Sequence, residues 1–237
     1  MAARSCWCGN EAARKLEFHY TTTTCSLASH IGLEESGADF DAHFVKLYKE
    51  EERAAYRAIV PSGKVPALLV DGEVLTENVA ILWYLHERHP QAGLLPVAGT
   101  PAERANVLAD LCFCSATLHP LVTRIRMPMF FAGNDNAALV KATAEAAMDE
   151  YFALVEARLA ERPWWFGERW SAMDGYLYWV FWRVEGAGYD VSRYPRFAAH
   201  ARANEQRPAV QRALAREDAA QGQLMAEGAA FVPPKIG

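Results

Sequence analysis

The stretch Gly63-Lys64-Val65-Pro66-Ala67-Leu68-Leu69-Val70-Asp71-Gly72-Glu73-Val74-Leu75-Thr76-Glu77-Asn78 constrains the fold more than any other part of the chain. Two short apolar runs flank Asp71-Gly72, a strong short-range signal for a β-hairpin. Just before the first run, Pro66 removes a backbone donor and makes the Val65-Pro66 bond a candidate for cis geometry. Held that way, the Val65 N–H and C=O face outward, and an unpaired strand edge is a receptor for an extended peptide. The second run ends at Thr76-Glu77-Asn78, where helical periodicity begins, with Thr76 expected as the cap. A helix N-terminus there offers free N–H groups to a carboxylate, and the Glu77 side chain accepts from an ammonium. One corner of the fold therefore suits both charges of an α-amino acid.

Upstream, Lys15-Leu16-Glu17-Phe18-His19-Tyr20 reads as a strand, four threonines follow, and Cys25-Ser26-Leu27-Ala28-Ser29-His30-Ile31-Gly32-Leu33 opens an amphipathic helix. Cys25 thus sits at a strand-to-helix turn, where the positive end of the helix dipole and nearby N–H donors are expected to favour thiolate over thiol. The bland alternative for a free cysteine is a small buried apolar side chain. The run Thr24-Cys25-Ser26-Leu27-Ala28-Ser29-His30-Ile31, with Glu35-Ser36-Gly37, Gly63-Lys64-Val65-Pro66-Ala67-Leu68 and Leu75-Thr76-Glu77-Asn78-Val79-Ala80-Ile81-Leu82, resembles bacterial glutathione S-transferases of the beta class. The resemblance covers nearly the whole chain after residue 14.

That resemblance implies an α/β thioredoxin-like N-terminal domain of order βαβαββα, an all-α C-terminal domain, glutathione as co-substrate, a small hydrophobic electrophile and a homodimer. It places Cys25 where other classes carry serine or tyrosine, and His119 where an imidazole faces the glutathione cysteine. Thr24 is an alternative donor to the glutathione sulfur, as are Thr22 and Thr23, with Tyr20 a weaker candidate. Glutathione contacts fall on Val65, Pro66, Glu77, Asn78 and Lys49, with Lys46 competing for the glycine carboxylate. An electrophile pocket between the domains draws on Met127, Phe130, Phe131, Trp179 and Trp182, any of which also serves as ordinary core. Arg124 and Arg126 either favour an anionic substrate or are simply solvated. Two other functions remain open on the same residues: a glutathione-dependent thiol-disulfide oxidoreductase acting through Cys25, and a non-catalytic glutathione-binding protein.

Composition is that of an ordinary soluble globular protein, since 51% of the 237 residues are hydrophobic and 22% charged. A net charge of -5 argues against nucleic acid or an anionic membrane as partner, and the expected location is the cytoplasm. Cysteines at 6, 8, 25, 112 and 114 give no disulfide framework, and the two close pairs have the wrong spacing for a zinc knuckle, so no metal is expected. Residues 1–14 read as a flexible extension, 15–89 as the thioredoxin-like unit, 90–101 as a Pro/Gly-rich linker and 102–237 as helical. Prolines 120 and 128 predict a kinked or broken helix over 102–131. Ser171-Ala172-Met173-Asp174 is a capping box, matching a family motif, ahead of a helix apolar almost all round.

Overall fold

The computed structural model describes residues 15–229; the N-terminal extension lies outside them. Strands β1 (Leu16–Tyr20), β2 (Asp41–Phe44), β3 (Ala67–Val70) and β4 (Glu73–Thr76) form one sheet in the order β2-β1-β3-β4. The parallel pair β1 and β2 needs a crossover, which helix α1 (Ser26–Ser36) supplies, while the Asp71-Gly72 turn reverses β3 directly into antiparallel β4. With α2 (Glu50–Ile59) before β3 and α3 (Asn78–Arg88) after β4, the order is the expected βαβαββα.

Strand alternation divides the first half into two faces. Phe18 and Tyr20 pack their rings 5.2 and 5.1 Å from His30 of α1, whereas His19 points the other way, 5.6 Å from Tyr56 of α2. The helices on the first face lie very close. A Cβ on Gly32 of α1 would sit 2.4 Å from Leu82 Cδ2 of α3, so any larger residue would force the Leu82 side chain to move.

The second half is helical throughout. Helix α4 (Pro101–Cys112) runs through a π turn (Phe113–Leu118) into α5 (His119–Arg126), followed by the short α6 (Met129–Ala132). The irregularity precedes Pro120: its ring crowds the carbonyl four residues back and it has no N–H to offer it, and a widened turn absorbs the mismatch. The residues 101–126 are long and apolar enough to cross a membrane by composition, but Val107, Leu111, Cys114, Leu118, Val122 and Ile125 recur at helical spacing and are buried in the core. Helices α7 (Ala137–Glu161), α8 (Ala172–Glu185), α9 (Pro195–Glu205) and α10 (Pro208–Ala226) complete the described residues.

Helix α8 is the axis of this half, with twelve of its fourteen residues buried. Its first turn is held by the fully buried Asp174. That carboxylate accepts from the Ser171 N–H at 2.8 Å, the Ser171 hydroxyl at 2.6 Å and the Trp165 N–H at 2.7 Å, and lies 2.9 Å from His200 Nε2. Gly175, next in sequence, admits Ile31 of α1, whose Cγ2 would be 3.1 Å from an added Cβ. The two halves are also bound by charge: Arg207 grips Glu35 at 2.6 and 2.9 Å, and Arg212 and Arg216 share Glu34 at 2.6 and 2.7 Å.

Replacing Asp174 by Ala orphans two buried backbone donors. We expect a loss of about 3–5 kcal/mol in urea unfolding, against about 1 kcal/mol for Ser171→Ala, which removes only part of the cap. Equal losses for the two variants would show that the network does not act through Asp174.

Candidate active site

The Val65-Pro66 bond is cis. The Val65 N–H makes no hydrogen bond among the described residues, and the Val65 carbonyl accepts only the Cys25 thiol, at a Sγ–O distance of 3.7 Å. Cys25 stands at the N-cap of α1, as the sequence indicates. Its ionisation differs from the expectation. Burial pushes the thiol up to about 12; a hydrogen bond from Asn78 and the Lys64 charge pull it down, and the Glu77 carboxylate pushes it further up. Loss of hydration outweighs the helix terminus, and Cys25 is a neutral thiol at pH 7.

Asn78 organises the ground behind it. Its Oδ1 accepts the Ser29 hydroxyl at 2.6 Å, which leaves the amide nitrogen to favour the charged form of both the Cys25 thiol and the Tyr176 phenol. Tyr176 of α8 in turn lies 3.2 Å from His119 Nδ1, and the His119 ring stands edge-on to Trp179 at 4.6 Å. Burial and the Lys64 charge lower the His119 pKa to about 4, so the imidazole is neutral. Cys25, Asn78, Tyr176 and His119 thus form one chain of contacts across the two halves. Sequence reasoning read this helix as apolar almost all round and did not single out Tyr176; the available signal was a phenol on a helix buried all round, which must find a partner.

The threonine turn faces inward on itself. The Thr24 hydroxyl donates to the Thr21 carbonyl at 2.8 Å and contacts the Ser26 hydroxyl, and the Thr22 hydroxyl donates to Gln221 of α10 at 3.0 Å. Neither points a free O–H at the Val65 edge. The Thr23 hydroxyl has no partner among the described residues, while its N–H donates to Glu217 of α10 at 2.6 Å. Tyr20 is a core residue beneath the turn.

At the other end, Glu77, not Thr76, is the N-cap of α3, exposed and with φ 74°. A side chain held at positive φ is uncommon and recurs where ligands are clamped. Lys49 and Lys46, both expected near the glycine carboxylate, converge on Glu227 beyond α10, at 2.7 and 2.6 Å. Arg124 lies over the Phe131 ring and donates to the Pro120 carbonyl, while Arg126 is half-buried and donates to the Arg183 carbonyl. Trp179 is buried; Phe130 and Phe131 are exposed. Cys112 is exposed and Cys114 buried, so this pair cannot chelate together. One group of metal-ligand type occurs among the described residues, Glu17, His19 and His43, within 4.8 Å of one another. The Lys15 ammonium, 2.9 Å from Glu17, already supplies the positive charge there.

A thioredoxin-like sheet with a cis-proline edge, a cysteine at the α1 terminus and an appended helical bundle define a thiol-peptide-binding enzyme scaffold. Residues 24–88 match the family described as glutathione S-transferase, N-terminal domain, and 116–203 its C-terminal domain. The chain is 33% identical to glutathione S-transferase GstA of Escherichia coli O157:H7, over 85% of this chain and 98% of that one. It is 30% identical to a maleylacetoacetate isomerase of Pseudomonas aeruginosa, over 82% and 96%. Among solved structures, a sphingomonad glutathione S-transferase complexed with glutathione superposes with a TM-score of 0.74 at 36% identity, over 85% of this chain and 98% of that one. A beta-class enzyme of Sphingomonas chungbukensis gives 0.75 at 35%, with the same coverage. The chain belongs to the glutathione S-transferase family.

Two measurements check the electrostatics. Alkylation of Cys25, followed by peptide mass mapping, should keep rising with pH up to 10 without a plateau; a plateau near pH 7 would show a thiolate and contradict the burial argument. For His119, neither the folded nor the unfolded state is protonated above pH 6.5, and only the unfolded state is between 6.5 and about 4. Stability therefore falls as pH drops through that window, with His30, lowered to about 3, adding the same sign. His119→Gln should give a shallower decline between pH 7 and 4.5 than the wild type.

Proposed function

We propose that the protein joins the thiolate of glutathione to a small hydrophobic electrophile, with Cys25 as hydrogen-bond donor rather than nucleophile. The observation that carries this reading is the neutral Cys25 thiol resting on the Val65 carbonyl. An extended peptide pairing with the Val65 N–H and C=O replaces that contact and frees the S–H to turn toward the glutathione sulfur. A donor aimed at a thiolate stabilises it and lowers the pKa of the glutathione thiol. The thiol proton passes to solvent, the sulfur forms a bond to the electrophilic carbon, and the leaving group departs with its electron pair.

The remaining contacts follow the chemistry of the tripeptide. Glu77 receives the α-ammonium, and the Asn78 N–H at the start of α3 receives the γ-glutamyl carboxylate. Val65 and Pro66 shape the cysteinyl segment, and Lys49 with Lys46 takes the glycine carboxylate. His119 and Tyr176 hold Asn78 and the sulfur pocket in position from the helical side; Thr24 fixes the turn that carries Cys25. The apolar surface at Met127, Phe130 and Phe131 suits the electrophile. Relatives solved with glutathione support the co-substrate. A homodimer is supported by Ala102, Ala105, Ala109, Cys112 and Ala116, an exposed small apolar seam along α4 and the π turn. The free thiols at 25, 112 and 114 suit a reducing cytoplasm, where conjugation serves detoxification.

The test is conjugation of glutathione to an aryl halide, with hydroxyethyl disulfide reduction assayed alongside. Cys25→Ala should lose roughly tenfold or more of the conjugation kcat/KM, and Cys25→Ser, which keeps a donor, should retain most of it. If Cys25→Ala conjugates normally but loses disulfide reduction, the cysteine is a redox nucleophile and the donor role fails. Glutathione binding with neither reaction would favour a non-catalytic binding protein.

A further inference from the structure

Beyond the arginines that pair with α1, helix α10 is fastened to the first half of the chain at two further places ten residues apart. Near its middle, Glu217 accepts the Thr23 N–H at 2.6 Å and Gln221 accepts the Thr22 hydroxyl at 3.0 Å, beside Cys25. Just past its end, the Glu227 carboxylate accepts from Lys46 Nζ at 2.6 Å and the Tyr48 hydroxyl at 2.6 Å, and pairs with Lys49 Nζ at 2.7 Å. Gln223 adds a fourth donor at 3.2 Å. Lys46, Tyr48 and Lys49 all belong to the loop between β2 and α2, so one short loop forms a carboxylate site. These donors hold Glu227 well below the usual carboxylate range. The family description ends at residue 203, and about 15% of this chain lies outside the matches that span 98% of two relatives.

We propose that Glu227 occupies the glycine-carboxylate site of the glutathione cleft and that glutathione binds by displacing it, so that the last turn of α10 is a self-competing latch. The proposal rests on the reading of Lys49 and Lys46 as glutathione contacts. Glu227 and a glycine carboxylate are the same chemical group, and the same three donors cannot serve both at once. Each exposed pair is weak alone, but a tethered carboxylate competes at an effective concentration on the order of millimolar. Displacement exchanges one carboxylate for another on the same cations, so the local charge is unchanged when the latch opens.

The experiment compares glutathione with γ-glutamylcysteine, which keeps the thiol and the γ-glutamyl end and lacks the glycine. In Glu227→Gln, KM for glutathione, or Kd by calorimetry, should fall roughly three- to tenfold while the value for γ-glutamylcysteine stays unchanged. On a Lys46→Met, Lys49→Met background the same substitution should have no effect. Hydrogen exchange of residues 218–229 in the wild type should accelerate with saturating glutathione and not with γ-glutamylcysteine. Equal gains for both thiols would show that α10 acts by bulk, and no gain for either would show that Glu227 does not compete; both overturn the latch. A wild type that binds γ-glutamylcysteine without a Glu227 effect loses only the latch, whereas failure of both variants to bind either thiol overturns the glutathione reading as well.

Discussion

Everything near Cys25 depends on the immobility of helix α1. Nine of its eleven residues are buried, and each face meets a different neighbour: Gly32 lets α3 approach, Ile31 fills the space beside Gly175 of α8, and Glu34 and Glu35 take the arginines of α10. A helix pinned on three sides has no freedom to shift its first turn. The sulfur is therefore placed by packing that is spread over both halves of the chain, which is why the helical half must fold for the thioredoxin-like half to present its site.

The same packing decides the chemistry. A helix terminus stabilises a charge by about 0.3–1 kcal/mol in ordinary exposed settings, less than one pKa unit. Enclosure by α8 and α3 acts in the opposite direction and moves the Cys25 thiol to about 12. The result is a group that donates a hydrogen bond at neutral pH, and the environment suits that role: Asn78 and Tyr176 are neutral, and His119 is held uncharged by burial. The charge of the glutathione sulfur then meets no opposing charge on Cys25 itself. A donor-rich site with a neutral thiol stabilises an incoming anion better than one that already contains a thiolate.

What the sequence made legible was local. The hairpin at Asp71-Gly72, the Val65-Pro66 edge, Cys25 at a helix start and the Ser171-Asp174 box each arise from residues within a few positions of one another, where turn chemistry and capping have fixed spacings. The start of α3 was misplaced by one residue because Thr76 is the better cap by type, while the strand pairing of Thr76 with Ala67 keeps it in β4. Tyr176, Gln221 and Glu227 escaped because their partners lie 57, 199 and about 180 positions away. Periodicity carries no information at that range. The length of α10 was also hidden, since its last turns bury little beyond Ala220 and Leu224 and owe their other contacts, Gln221 with Thr22 and Glu227 with Lys46, to residues far away in the sequence.

The attachments at Glu217 and Glu227 differ in a way that fixes where α10 opens. Glu217 sits in a buried position beside Arg183, its carboxyl raised to about 7 chiefly by burial, and one of its oxygens has no partner among the described residues. Withdrawing it would leave the Thr23 N–H unpaired in the interior, a loss that an incoming tripeptide carboxylate at Lys46 and Lys49 does nothing to offset. Glu227 is ionised and partly in contact with water, and both it and its lysines regain hydration or a new carboxylate when they separate. The weak end is thus the wet one. Opening at Glu227 while Glu217 holds keeps the threonine turn and Cys25 in place, so the glycine end of the cleft can be exposed without disturbing the thiol that the chemistry needs.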